Sequence, residues 1–161
     1  MYQIAQKNAR VFGYPGSRNG TRAAFPKVRL VLLVEAGTHL IVDALMCPYR
    51  MGERVRALKL LRACSQGMLL MWDRGLHSYR MVHATLNQEC DYLGRVPKNV
   101  KFSVDKVLDD GSYLSWIAPD RKSKHKGGSR ILGIIHSRSK NSLSMSWARN
   151  RSGASQFCNE Y

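Results

Sequence analysis

The run Met68-Leu69-Leu70-Met71-Trp72-Asp73-Arg74-Gly75-Leu76-His77-Ser78-Tyr79 constrains this chain more than any other stretch. Four apolar residues and a tryptophan lead into one carboxylate, and Arg74-Gly75 then turns the chain away. A short apolar run closed by turn residues reads as a buried strand, and it delivers its last residue to the carboxyl edge of a sheet. Open α/β folds bind ligands and metals at that edge. A carboxylate there can hold a divalent cation against a phosphate oxygen. Asp73 has a second reading, as an N-cap or turn residue ahead of a helix starting near His77. From the pattern alone that second reading carries more weight.

The surrounding elements follow from periodicity. Residues 5–27 are rich in Gly, Arg, Asn and Pro and read as a long loop centred on Gly13–Gly20. Val28–Val34 and His39–Met46 read as two strands joined at Glu35-Ala36-Gly37-Thr38. A helix is expected from about Gly52 to Cys64, with Val55, Leu58 and Leu61 as its core stripe and Arg56, Lys59 and Arg62 beside it. After strand Met68–Trp72 comes a second helix, roughly Ser78 to Gln88, and then strand Asp91–Val96. The order β-β-α-β-α-β implies an α/β fold with mixed pairing. Lys101–Leu108 and Ser112–Ala118 flank Asp109-Asp110-Gly111, a hairpin signal, and Ile131–Ile135 is a further short strand. From Ser137 onward Ser, Arg, Asn and Lys dominate, which predicts a poorly ordered tail.

Charge narrows the partners. The 161 residues hold 26 Lys and Arg against 11 Asp and Glu, a formal net charge of +15. The excess is spread, with 15 basic and 6 acidic residues in 1–100 and 11 and 5 in 101–161. Such a field draws polyanions, nucleic acid first among them. Arg121, Lys122, Lys124, Lys126 and Arg130 fall within ten residues and form a credible phosphate-contacting loop. Those contacts would position DNA without reading its sequence. The plainer alternative is a solvated hairpin loop. Cys47, Cys64, Cys90 and Cys158 show no C-x-x-C pair, which suits reduced thiols in a cytosolic protein. The longest apolar run, Val28–Val34, contains Arg29 and is too short to span a bilayer.

Few residues could do chemistry. Two-metal phosphoryl transfer needs a carboxylate cluster to hold two cations about 4 Å apart. Glu35 sits at a turn, Asp43 lies within a strand, and Asp109 and Asp110 suit the positive φ of a tight hairpin. Glu53 complements a helix dipole. His77 and His83 are six residues apart and do not share a helix face, so packing or surface roles are expected. Neither a G-x-S-x-G elbow nor a phosphate-binding glycine motif occurs. Asp73 alone has the position of a metal ligand.

Several segments, taken in order, carry a resemblance. They are Asn8–Gly13 with Pro15-Gly16-Ser17, Ala24–Leu30, Val34–His39 with Asp43-Ala44, Trp72–Tyr79, Leu93–Pro97 and Asp110–Ile117. Together they resemble the catalytic domain of bacterial DDE transposases of the insertion sequence 4 family, over roughly residues 5–135. The resemblance implies an RNase H-like mixed sheet flanked by helices, with a β-hairpin insertion, and DNA cleavage and rejoining with two Mg²⁺ ions. Asp73, within Asp-Arg-Gly-x-x-Ser-Tyr, resembles the second acid of the triad and so a catalytic and metal-binding residue.

The first acid of the family belongs to a core strand that should precede Asn8, and the third to a Tyr-x2-Arg-x3-Glu-x6-Lys helix not found after Ile135. The resemblance thus predicts an incomplete fold, lacking the first core strand and the last catalytic helix. A partial catalytic core is expected at 1–97, a β-rich insertion with its basic loop at 98–136 and a divergent tail at 137–161. The expected function is that of a DDE transposase catalytic-domain fragment that binds DNA, inactive alone, in the bacterial cytoplasm near the nucleoid. The alternative is a non-catalytic basic DNA-binding remnant. No membrane partner is expected. Strand edges left without a neighbour would favour self-association.

Overall fold

Eleven residues free of glycine and proline fold as helix α1 (Tyr2–Phe12) in the computed structural model, where the composition of residues 5–27 had suggested only loop. Gln, Lys, Ala and Arg are good helix formers, and Gly13 at φ 73° ends the helix in the left-handed region open to glycine. The structure describes residues 2–15, 23–124, 129–139 and 142–147. It is mixed α/β and divides into two units, 1–63 and 64–161.

The first unit is built on an antiparallel hairpin of β1 (Val28–Val34) and β2 (Ile41–Pro48). Alternation decides its two faces. Val31 and Cys47 are buried, and helix α2 (Glu53–Leu60) packs against the hairpin with Ala57 and Leu60 inward. Leu61, in the 3₁₀ turn Leu61–Ala63, is buried too, whereas Val55 is exposed. The core stripe is therefore 57-60-61 rather than 55-58-61. An i, i+3, i+4 set satisfies helical geometry equally well, and the tighter last turn brings Leu61 beside Leu60. Arg29 donates from Nη1 to the Met51 carbonyl at 2.8 Å, and its guanidinium lies 5.1 Å from the Tyr49 ring centroid. Tyr49 N–H to Phe12 O, at 3.1 Å, joins the end of β2 to α1.

The second unit holds a six-stranded sheet in the order β3-β4-β8-β7-β6-β5. Strand β3 (Leu69–Trp72) runs parallel to β4 (Asp91–Val96), connected by α3 (Tyr79–Asn87). The remaining pairs are antiparallel: β5 (Lys106–Val107), β6 (Tyr113–Ile117), β7 (Ile131–Ser139) and β8 (Ser142–Trp147). The expected β5–β6 hairpin forms, with Gly111 at φ 79° and the Asp110 carboxylate accepting from Ser112 N–H at 2.9 Å. In the stretch from Ser137 expected to be poorly ordered, β8 and the last three residues of β7 are strand, and residues 140–141 and 148–161 lie outside the described residues. Ser142-Leu143-Ser144-Met145-Ser146-Trp147 alternates polar with apolar, a strand period that its serine-rich composition hides. The strands of 98–136 share this sheet with β3 and β4, whereas β1 and β2 form a two-stranded sheet of their own.

Helix α3 covers one face near β4 with Met81, Val82 and Thr85 buried. Tyr92 is fully buried, and its hydroxyl lies 3.1 Å from His77 Nδ1. A Cβ at residue 94 would fall onto the Tyr92 ring, which is why glycine stands there. The opposite face is uncovered at the sheet edge, where Leu69 and Met71 are 57% and 59% exposed. So β3 is an edge strand with one open face. An apolar run alone does not report which neighbours exist.

Candidate functional site

Parallel pairing of β3 with β4 aligns Trp72 with Gly94, so Asp73, just past the end of β3, stands beside Arg95, which is still within β4. Their side chains form an ion pair, Arg95 Nη1 to Asp73 Oδ1 at 3.6 Å, with 64% and 72% of each side chain exposed. Asp73 thus stands at the carboxyl end of its strand, as expected. The capping alternative does not hold for its side chain. The 3₁₀ turn Arg74–Leu76 follows Asp73 without a bond to the carboxylate, and the Asp73 carbonyl accepts from Leu76 N–H at 2.9 Å. Ser78 caps α3 instead, its Oγ accepting from Met81 N–H at 3.3 Å. Release from capping leaves the Asp73 carboxylate facing water and a guanidinium. Arg95 was not foreseen, because its nearness to Asp73 depends on the register between β3 and β4, which neither strand carries alone.

Two other acids, Glu35 and Asp43, have structural employment. Glu35 accepts from Gly37 N–H at 2.9 Å, from Thr38 N–H at 2.5 Å and from the Thr38 hydroxyl. The Thr38 side chain first, then the two backbone donors, hold the Glu35 carboxyl below its ordinary range. Asp43 takes two hydrogen bonds from Arg62, at 2.9 and 3.1 Å, and this contact chiefly lowers its pKa. Neither carboxylate is idle. Among the described residues no three His, Cys, Asp or Glu side chains gather as a metal site. A single carboxylate, paired here with a guanidinium, does not fit the expected pair of Mg²⁺ ions, which need several oxygens to fix their separation.

The basic segment begins as one turn of helix, α4 (Arg121–Lys124), rather than as a loop. Asp120 nucleates it, its carboxylate accepting from Ser123 N–H at 2.7 Å and its carbonyl from Lys124 N–H at 2.8 Å. Arg121, Lys124 and Arg130 are exposed. Lys126 and the side chain of Lys122 lie outside the described residues. At the far end, Tyr79 on α3 donates its hydroxyl to the Ser129 carbonyl at 2.8 Å. Burial raises the Tyr79 pKa, with Asp120 adding to it, so the phenol keeps the proton this bond requires. His77 and His83 serve packing: His77 is buried against Tyr92 and Phe102, and His83 stacks on Tyr79.

Over 79 residues, 47% of this chain, the sequence is 33% identical to the Escherichia coli (strain K12) protein described as "Putative transposase InsZ". Those residues amount to 26% of that protein, so the chain spans about a quarter of the relative it matches. No family model matches the chain, and no solved structure matches it. No helix among the described residues is long and apolar enough to cross a membrane.

Proposed function

We propose that this chain is part of a DNA transposase of the DDE type, similar to the insertion sequence 4 family, and that it contributes DNA-binding surface and one acid of the catalytic site. The observation that carries this reading is Asp73. It is an exposed carboxylate at the carboxyl end of a strand in a parallel β-α-β unit, free of capping duty and set in Asp-Arg-Gly-x-x-Ser-Tyr. The 33% identity over 79 residues to the protein described as a putative transposase also supports it. The chain order of an antiparallel hairpin, a helix, and a parallel strand-helix-strand unit is that of the proposed RNase H-like core, with the hairpin here a two-stranded sheet of its own.

Strand cleavage by this chain alone is not part of the proposal, since one acid cannot fix two cations. What the chain does by itself is hold DNA. Its net charge of +15 and the exposed Arg121, Lys124 and Arg130 supply phosphate contacts whose strength falls with salt. A non-catalytic DNA-binding remnant differs in one respect, because it assigns Asp73 no role toward metal.

The test combines gel-shift titrations over a salt series with a nicking assay on supercoiled plasmid in Mg²⁺ or Mn²⁺. Binding is expected to weaken steeply with salt, and alanine at Arg121, Lys124 and Arg130 together should flatten the slope by roughly two to three. Asp73→Asn should leave affinity unchanged or slightly raised, since a negative charge near phosphate is lost. No nicking is expected from either protein. Nicking that vanishes with Asp73→Asn would mean other carboxylates complete the site, and salt-insensitive binding would remove the DNA assignment.

A further inference from the structure

Two cysteines 26 positions apart meet at the start of the second unit. Cys64 immediately precedes the turn into β3, and Cys90 immediately precedes β4. Because β3 and β4 are parallel neighbours, their entry points lie side by side. Two backbone bonds pin them there: Gly67 N–H to Glu89 O at 3.0 Å, and Asp91 N–H to Met68 O at 2.8 Å. Glu89 adopts φ 57°, an uncommon conformation for a side-chain-bearing residue, and it sits in the turn just before Cys90. The Cys90 thiol is fully buried and lies 3.2 Å from the carbonyl oxygen of Ser65, the residue next to Cys64. The Cys90 thiol also lies 3.5 Å from the Gln88 carbonyl oxygen, and its proximity is one cause of the raised Cys64 pKa. Cys64 is half-buried, so it is the member of the pair that solvent can reach.

We infer that Cys64 and Cys90 form an oxidation site, a dithiol that closes to an intramolecular disulfide on reaction with a small disulfide such as oxidised glutathione. The chemistry balances in two exchanges. The Cys64 thiolate attacks one sulfur of glutathione disulfide, forming a mixed disulfide and releasing one glutathione thiolate. The Cys90 thiolate then attacks Cys64 Sγ, the Cys64–Cys90 bond forms, and the second glutathione thiolate leaves. The protein loses two electrons and two protons, and the oxidant departs as two reduced glutathiones. The backbone already holds both chain segments together, so closure needs no rearrangement of strands. Burial first, and the neighbouring Cys90 second, push the Cys64 thiol up, which makes the first exchange slow at neutral pH. Closure would encircle residues 65–89, the whole of β3, Asp73 and α3, and so lock the element that carries the acid.

The whole protein is incubated with glutathione disulfide at pH 7, 8 and 9, quenched with an alkylating agent and mapped by peptide mass spectrometry without reduction. The expected product is a cross-link between the peptides containing Cys64 and Cys90, with two hydrogens lost and no glutathione retained. Its rate of appearance should rise about tenfold from pH 7 to pH 8, following the thiolate fraction. Cys90→Ser should stop the reaction at the Cys64 mixed disulfide, and amide exchange across residues 66–72 should slow in the oxidised wild type. The inference is overturned if wild-type Cys64 keeps its glutathione while Cys90 remains alkylatable, or if Cys64 pairs instead with Cys47 or Cys158.

Discussion

The two units solve the problem of burying apolar surface with unequal success. In the second unit Tyr92, Met81, Val82, Cys90 and Ile135 are wholly shielded, and the polar groups buried among them have partners. Trp72 donates to Thr85 at 3.2 Å, and Ser115 donates to the Ser103 carbonyl at 2.8 Å. In the first unit the hairpin covers one face with α2 and leaves Val28, Leu30, Leu32, Val34, Ile41 and Met46 exposed. Two strands and a short helix cannot enclose both faces, and an isolated two-stranded sheet is marginal in water. Strand count, more than hydrophobic content, separates the two. The hairpin is as apolar as any part of the chain, but six paired strands can fold a face away and two cannot.

The comparison can be broken most forcefully at Tyr92. Tyr92→Ala removes the largest fully buried side chain and its hydroxyl contact with His77, and it should cost the second unit about 3–5 kcal/mol. Hydrogen exchange should then rise across β3, β4 and α3 while β1 and β2 keep their protection. A hairpin that loosened equally would mean the two units fold as one. Gly94→Ala, which forces a methyl group onto the Tyr92 ring, should lower stability by roughly 1–3 kcal/mol in chemical denaturation. Ser78→Ala should cost about 1 kcal/mol through loss of the α3 cap, and Asp73→Ala should show no such capping loss.

Leu30→Lys on the open hairpin face should change stability by less than about 0.5 kcal/mol. The same variant should reduce concentration-dependent association in sedimentation, and a large loss of stability would reveal that the face is covered in solution. The smallest effect is one of pH. Because the Asp43 pKa is depressed in the folded state, its contribution is present above the ordinary carboxylate range near 4 and lost as pH falls through the lower folded value. A thermal midpoint followed from pH 5 to 3 should therefore fall less steeply in Asp43→Asn.

Where a single period ran through a segment, the sequence was readable. Val28–Val34, Met68–Trp72, Asp91–Val96 and the Asp-Gly turn all appear within a few residues of their expected places. Composition misled where it masked a period, as in Ser142–Trp147, and where glycine and proline later in the segment hid a helix at Tyr2–Phe12. Asp73 was legible because one strand ends on it. Arg95 and the Cys64–Cys90 contact were not, since both depend on which strands are neighbours and in what register. Register is a property of pairs of segments, and no window along one segment contains it.

The bond from Tyr79 to the Ser129 carbonyl has a consequence for anything that grips the basic segment. It ties Ser129, near one end of the basic segment, to α3, while the Asp120 turn holds Arg121–Lys124 at the other end in a local helical turn. A tethered segment has fewer shapes to surrender when it meets a phosphate backbone than a dangling one of equal charge, so less of its attraction is spent on ordering. Tyr79→Phe would cut one tether and leave every positive charge in place. Any loss of DNA affinity in that variant would measure what anchoring alone contributes.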